Sequence, residues 1–521
     1  MAIENVLIAG QWRPADAAAT FKTNNPSTRE ELPAEYPVSS WADCEAALAS
    51  ATEAFQAMSQ MSGDDIAKFL ETFAQNIDDN AAALVEMAHA ETGLPASPRL
   101  GDVELPRTTG QLRQAAVAAR SGSWKQATID TANGISSCYG PLGPVCVFGP
   151  NNFPFAFNSL SGGDFAAAIA AGNPVIGKAN TSHPGTTRIF AELAHEAAQS
   201  TGMPAGTVQL LYRTSHEDGA RLVSDSRVGA TGYTGSRGAG LALKSAADEA
   251  GKPIYLELSS VNPVLILPGA IRERGIEALA SEFTGSCLMG AGQFCTNPGL
   301  VILIKDQNTD QFVETIAKQF EDAPDGVLLS ESVEKSLARS HQILQEAGAT
   351  ALCGTGEGRS DGFCCHNTLL RATGADFCKS PEALQTEAFG NCSLIVVAEN
   401  VDEAAQVVAS LEGNLTGCVY SAEDGSDEET YQKVEPILRR KVGRLLNDKM
   451  PTGVAVSSAM NHGGPFPATG HPGFTAVGIP ASLIRFGALQ SYDNVRQSRL
   501  PEILRDDYSG PAQRFVDGTW Q

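Results

Sequence analysis

Val145-Cys146-Val147-Phe148 opens a run in which short β-branched stretches alternate with alanine-rich ones: 164–171, Pro174-Val175-Ile176, 187–201 and Val208-Gln209-Leu210-Leu211. Short apolar runs bounded by Gly and Pro read as strands buried on both faces, and the alanine-rich stretches between them as helices. Parallel strands need a crossover between them, so this alternation predicts a doubly wound parallel sheet. A second alternating block starts near Val264-Leu265-Ile266-Leu267 and runs to about Val456, which makes the chain an α/β protein with two such units. Before the first block, 41–89 carries Ala, Glu and Phe at helical spacing, interrupted at Ser62-Gly63-Asp64-Asp65, where a serine and two aspartates can cap a new helix. Two helices packed on a sheet are expected there. Between helices and first strand, Asn133-Gly134 sits at the centre of alternating residues from Thr128 to Cys138 and predicts a hairpin, since both turn positions tolerate φ > 0.

Composition narrows the class of function. The 521 residues suffice for two substantial domains and an appendage, at roughly 150 residues per domain. A formal net charge of -23, from 60 acidic against 37 basic side chains, excludes the basic face that nucleic acid requires and disfavours anionic membrane surfaces. An acidic substrate would need a local arginine to offset that field. The 11 cysteines are an odd number without metal-ligand rhythm, so neither a disulfide framework nor a metal site is expected. The most apolar short run, Leu300-Val301-Ile302-Leu303-Ile304, stops at Lys305, far short of the ~20 residues that span a bilayer. With no basic and apolar leader at Met1-Ala2-Ile3-Glu4-Asn5, the expectation is a cytoplasmic protein.

Gly292-Gln293-Phe294-Cys295-Thr296-Asn297-Pro298-Gly299 sets one thiol among small, turn-prone residues, and Glu257 ends the apolar run Pro253-Ile254-Tyr255-Leu256. A soft nucleophile and a carboxylate base are the two groups needed to oxidise an aldehyde through a covalent thioester. Cys287 competes for the first role, but Thr284-Gly285-Ser286-Cys287-Leu288 is more apolar and reads as helix packing.

The chain resembles the aldehyde dehydrogenase superfamily along nearly its whole length. The resemblance rests on Gly149-Pro150-Asn151-Asn152-Phe153-Pro154-Phe155, Gly177-Lys178-Ala179-Asn180, Tyr233-Thr234-Gly235-Ser236 through Gly240, Leu256-Glu257-Leu258 and Glu387-Ala388-Phe389-Gly390, in the family's order. Three further stretches, Glu91-Thr92-Gly93-Leu94-Pro95 with Arg107 to Arg113, the nucleophile loop, and Met460 to Thr469 with its His462-Gly463-Gly464-Pro465, are similar to the 2-oxoglutarate semialdehyde (2,5-dioxovalerate) dehydrogenases. That branch also holds NADP-linked fatty aldehyde dehydrogenases, which remain the alternative for substrate.

The resemblance implies a Rossmann-type cofactor domain over 1–123 and 143–258, a catalytic domain over 259–460, and an oligomerisation element over 124–142 and 461–521 with its β-hairpin, joining a homodimer or homotetramer. The strand expected to pair with the hairpin is Leu483-Ile484-Arg485-Phe486. Cys295 becomes the nucleophile, Glu257 the base that activates the deacylating water, and Asn152 the oxyanion donor. Lys178 is assigned to the cofactor ribose, Gly235, Ser236 and Gly240 to the pyrophosphate turn, and Glu387 with Phe389 to the nicotinamide ribose and ring. Thr181 stands where NAD-specific relatives carry a repelling glutamate, and Arg213 offers a counter-charge, so NADP is expected alongside NAD. Arg107, Arg113, Phe153 and His462 are the substrate candidates, with one arginine pointing inward and His462 near the tunnel mouth. A cofactor-independent thiol esterase is the alternative of another class; it has no use for Lys178 or Glu387.

Overall fold

The computed structural model describes residues 3–354, 358 and 361–521. Strands Val145–Phe148, Val175–Lys178, Val208–Leu211, Ala230–Thr234 and Ile254–Glu257 form the expected parallel sheet, extended antiparallel by Val6–Ile8 and Gln11–Arg13. Register aligns Tyr233 with Phe148, Phe148 with Lys178, and Thr234 with Glu257. Lys178, Glu257 and the turn after Thr234 therefore leave the sheet at the same carboxyl edge, where open α/β sheets bind ligands.

A second seven-stranded sheet runs Thr350–Cys353, Thr368–Thr373, Cys392–Ala398, Leu300–Ile304, Val264–Ile266, Asn414–Tyr420, Val442–Asn447. All its pairings are parallel except at the Thr350–Cys353 edge. Leu300–Ile304 lies near its centre, buried throughout, which is why its sequence shows no polar alternation. No helix among the described residues is long and apolar enough to cross a membrane.

The helical region has three helices rather than two: Trp41–Met58, Gly63–Asp79 and Ala81–Thr92. Ser62 and Asp65 make a capping box at the predicted start. Asn80 both ends one helix and begins the next, its Nδ2 donating to Asn76 O at 2.8 Å, so the sequence pattern continues across a bend. A π-helical turn, Ala96–Glu104, then feeds the helix Leu105–Ser121.

Besides a small sheet of Arg213–Thr214, Tyr36–Ser39 and Ala17–Phe21, a third large sheet runs Gly487–Asp493, Ile135–Pro141, Ala127–Asp130, Arg514–Val516, Thr519–Trp520. Asp130 opposes Ile135 across the predicted turn, with Gly134 at φ 67° and Asn133 held by the Asp130 carboxylate. The partner strand lies beyond the expected one. Leu483 sits in a short helix, Ala481–Ile484, and is buried with Phe486, whereas Gly487–Asp493 pairs with the hairpin. The apolar character of Leu483-Ile484 reflects core packing, and the real strand is too polar to announce itself. Residues 461–484 are not part of this sheet; they fold back over the carboxyl edge of the first, where Leu258 N donates to Ala468 O and Gly470 N to Leu256 O.

Candidate active site

Gly290, Ala291 and Gly292 all take positive φ, at 57°, 54° and 69°, and turn the chain sharply out of the helix Ile276–Leu288. A left-handed alanine is strained, a feature that concentrates at functional loops. At Gly292 a Cβ would stand 2.0 Å from Gly390 O, so the thiol loop and the Glu387–Gly390 turn touch backbone to backbone. Asn262 Nδ2 then donates to Cys295 O and Asn297 O, each at 2.9 Å, fixing both sides of the turn.

Cys295 keeps part of its surface open to a cavity of about 420 Å³ that also reaches Gly235, Ser236, Glu257, Glu387 and Phe389. Burial, followed by the Glu257 charge, pushes the thiol well above its ordinary pKa, while Arg107 pulls the other way. Cys287 is buried in its helix and pushed up to about 12 by burial, with Asn297 Nδ2 at 3.8 Å from its sulfur.

His462 is placed differently from the expectation. It is not at a tunnel mouth but 1% exposed, its Nε2 2.9 Å from Glu257 Oε1 and 3.4 Å from Cys295 Sγ. Thr475 Oγ1 accepts from its backbone N–H at 3.0 Å. The other Glu257 oxygen, Oε2, is buried without a partner among the described residues. Ligand atoms of Glu257, Cys295 and His462 all lie within 4.8 Å of one another.

Asn152 is buried against the thiol loop, Nδ2 donating to Gln293 O at 3.0 Å. Two residues that the motifs passed over hold it there. Glu104 Oε1 accepts from Phe155 N at 2.8 Å and Ala156 N at 3.0 Å, and Arg99, ion-paired to Glu104, donates to Asn152 O at 3.0 Å. Arg99 also lies 4.4 Å over the Phe153 ring and 5.5 Å over Phe294, joining both loops. Arg444, whose Nη2 donates to Pro451 O at 2.8 Å and Gly453 O at 3.1 Å, is a second missed cation whose field reaches Cys295. Only the fold brings these distant residues together, so spacing offered no signal.

The two predicted arginines separate. Arg113 lies on the surface, bonded to Asp78 at 2.6 Å, and does not enter the site. Arg107 points in, 5.2 Å over Phe157 and 5.6 Å over Phe153, with Nη2 buried and unpartnered among the described residues. Phe153 packs edge-on against Phe157 and Phe294, both at 5.4 Å, and shares an apolar cluster with Phe474.

At the carboxyl edge of the first sheet, a Cβ on Gly240 would stand 2.4 Å from the Leu258 Cδ2 methyl and 2.9 Å from the Tyr233 ring, so the helix Arg237–Glu249 packs closely on the sheet. Burial raises the Glu387 carboxyl to about 7, against hydrogen bonds from Ser259 and Ser260 that lower it and with a smaller push from the Glu257 charge. Lys178 is lowered to about 8 by burial and then by Arg213, and makes no ion pair among the described residues. Thr181 lies in the turn leading to the helix Pro184–Thr201, and Arg213 is exposed, 5.8 Å over Phe21. An unpaired cation, a glycine turn and a buried carboxyl form a donor and acceptor set that fits a dinucleotide.

The Azospirillum brasilense protein named alpha-ketoglutaric semialdehyde dehydrogenase 2 is 39% identical over 99% of both chains. The alpha-ketoglutaric semialdehyde dehydrogenase of Acinetobacter baylyi is 34% identical over 98% of this chain and 97% of that one. Among solved structures, a Bacillus cereus aldehyde dehydrogenase mutant superposes with a TM-score of 0.80 at 21% identity, covering 94% of this chain and 96% of that one. A Pseudomonas syringae aldehyde dehydrogenase C mutant, solved with NAD+ and octanal, gives 0.80 at 19%, covering 95% and 98%. With the aldehyde dehydrogenase family model matching residues 12–463, the chain belongs to that family and is an oxidoreductase acting on aldehydes.

Proposed function

We propose that the chain oxidises 2-oxoglutarate semialdehyde to 2-oxoglutarate with NADP or NAD, through a thioester on Cys295. The observation that carries the substrate is Arg107, a guanidinium whose buried Nη2 has no partner among the described residues, walled by Phe153 and Phe157. A buried donor without an acceptor is costly, and the distal carboxylate of a short semialdehyde supplies that acceptor in bidentate form. The names of the two full-length relatives support the same substrate.

The chemistry follows from the Cys295, His462 and Glu257 cluster. A thiol held well above its ordinary range has to give up its proton to attack; that proton leaves to water in the cavity onto which Cys295 opens, and the His462 Nε2–H, 3.4 Å from the sulfur, is placed to donate to the thiolate. In the resting site that N–H is shared with Glu257 Oε1, 2.9 Å away. Asn152 Nδ2 carries a second N–H for the oxyanion. A bound nicotinamide would supply the acceptor for the hydride that leaves the carbon attached to sulfur. Glu257 then takes a proton from the water that cleaves the thioester, giving the free acid. Lys178 and Glu387 would hold the cofactor riboses, Gly235 and Ser236 its pyrophosphate, and Phe389 its ring. Thr181 in place of an acidic side chain leaves room for a 2′-phosphate without charge conflict, and exposed Arg213 favours it. We also propose a homo-oligomer assembled through the third sheet, whose Gly487–Asp493 strand is a free edge.

A medium-chain fatty aldehyde is the second reading, favoured by the Phe153, Phe157, Phe294 and Phe474 cluster. Comparing kcat/KM for 2-oxoglutarate semialdehyde, succinic semialdehyde and hexanal decides between them. Arg107→Ala should cost the dicarboxylate substrate about 1.5–3 kcal/mol, the worth of a hydrogen bond to a charged group, and spare hexanal. Arg113→Ala should alter nothing. A wild-type preference for hexanal that Arg107→Ala leaves in place refutes the assignment.

A further inference from the structure

We propose that Cys295, His462 and Glu257 form a binding site for a single zinc ion, which reversibly masks the nucleophile. One thiol sulfur, one imidazole nitrogen and one carboxylate, all within 4.8 Å, are the three ligand types zinc takes most readily. Tetrahedral ligands at zinc's usual bond lengths stand roughly 3.3–3.8 Å apart. The sulfur and Nε2, at 3.4 Å, already have that spacing. Nε2 and Glu257 Oε1, at 2.9 Å, need to open by a few tenths of an ångström, or Oε2, buried and free of partners among the described residues, can take the ion instead.

Charge favours the ion as well. With zinc, a thiolate and a carboxylate face a divalent cation and the cluster is neutral. Arg107 and Arg444 stand near enough to affect the thiol, and they oppose a cation, which makes the site weaker than a structural zinc centre. The ion enters through the cavity onto which Cys295 opens, and a water from it completes the tetrahedron. Binding forms the Zn–S bond and breaks the S–H bond, the proton leaves to solvent, and nothing is oxidised or reduced. The inference stands on the three side chains alone and does not depend on which aldehyde is the substrate.

Zinc titration of the intact enzyme against a chelating dye tests it. One ion per chain is expected, with at least tenfold weaker binding in each of Cys295→Ser, His462→Asn and Glu257→Gln, and no change in Cys287→Ser. Cobalt added to the wild-type enzyme should give a thiolate-to-metal band in the near ultraviolet and visible bands of tetrahedral intensity. Zinc should slow alkylation of Cys295 by iodoacetamide at least tenfold, read by mass spectrometry, and a chelator should restore it. No binding at submillimolar zinc, a cobalt spectrum without the thiolate band, or affinity unchanged in both His462→Asn and Glu257→Gln overturns the proposal. Because the cobalt spectrum and the alkylation rate are read on the wild type, a variant that folds poorly does not remove the test.

Discussion

At the scale of single residues, the cluster of Glu257, His462 and Cys295 makes two variants distinguishable. Glu257→Gln should leave a burst of about one NAD(P)H per active site followed by slow turnover, because the base is needed only after the hydride has left. His462→Asn should slow the burst itself, since it removes the N–H that stands 3.4 Å from the sulfur to steady the thiolate; a full-rate burst there would exclude that role. NAD affinity carries a second signature. Glu387, at about 7, loses its charge as pH falls through that value, and Lys178, at about 8, loses its charge as pH rises through that one. If ribose binding uses the carboxylate and the ammonium as proposed, affinity measured by calorimetry should be bell-shaped with its maximum between the two, falling roughly tenfold per pH unit beyond either limb. Glu387→Gln should flatten the acid limb and Lys178→Gln the alkaline one; a flat wild-type profile refutes both roles. Cys295, Glu257 and Glu387 could be named as candidates because each sits in a short local motif, and the fold brings all three to one cavity. The contact of His462 with Glu257 was not, because it joins positions far apart in the chain through a loop that folds back over the sheet edge.

At the scale of elements, the carboxyl edge of the first sheet and the turn after Ile276–Leu288 do the positioning. Periodicity revealed the sheet strands, since each is buried on both faces and so continuously apolar. It merged two helices across Asn80, which bends the chain without interrupting the apolar pattern, and it chose Leu483-Ile484 over Gly487–Asp493, because a strand exposed along much of its length looks polar. The turn is where sequence and geometry meet most tightly: Gly292 combines φ 69° with a gap of 2.0 Å from a would-be Cβ to Gly390 O. Gly292→Ala should therefore destabilise the fold by at least about 1–3 kcal/mol in urea unfolding, the cost of one strained residue. It should also lower turnover more than cofactor affinity, because the loop carries the thiol and not the nucleotide. Gly285→Ala, exposed in the helix Ile276–Leu288 where an added Cβ meets nothing within 4 Å, is the control that should neither destabilise the fold nor lower turnover.

At the scale of the whole molecule, a free strand edge competes with charge. Each chain carries a net charge of -23, so copies repel one another at low salt, and screening shortens that repulsion to about 10 Å at 0.1 M. The edge strand Gly487–Asp493 offers unpaired backbone groups and Leu489, 61% exposed, as the apolar contact. Burying a leucine side chain contributes about 1.5–3 kcal/mol, and a two-fold interface counts it twice. Leu489→Glu removes that burial and adds two like charges to the seam, so it should shift the assembly to smaller species in light scattering. Wild-type assembly should strengthen as salt rises from low to moderate, the opposite of an interface held by ion pairs. Salt that dissociates the wild-type assembly, or a Leu489→Glu protein of unchanged mass, would move the interface away from this strand.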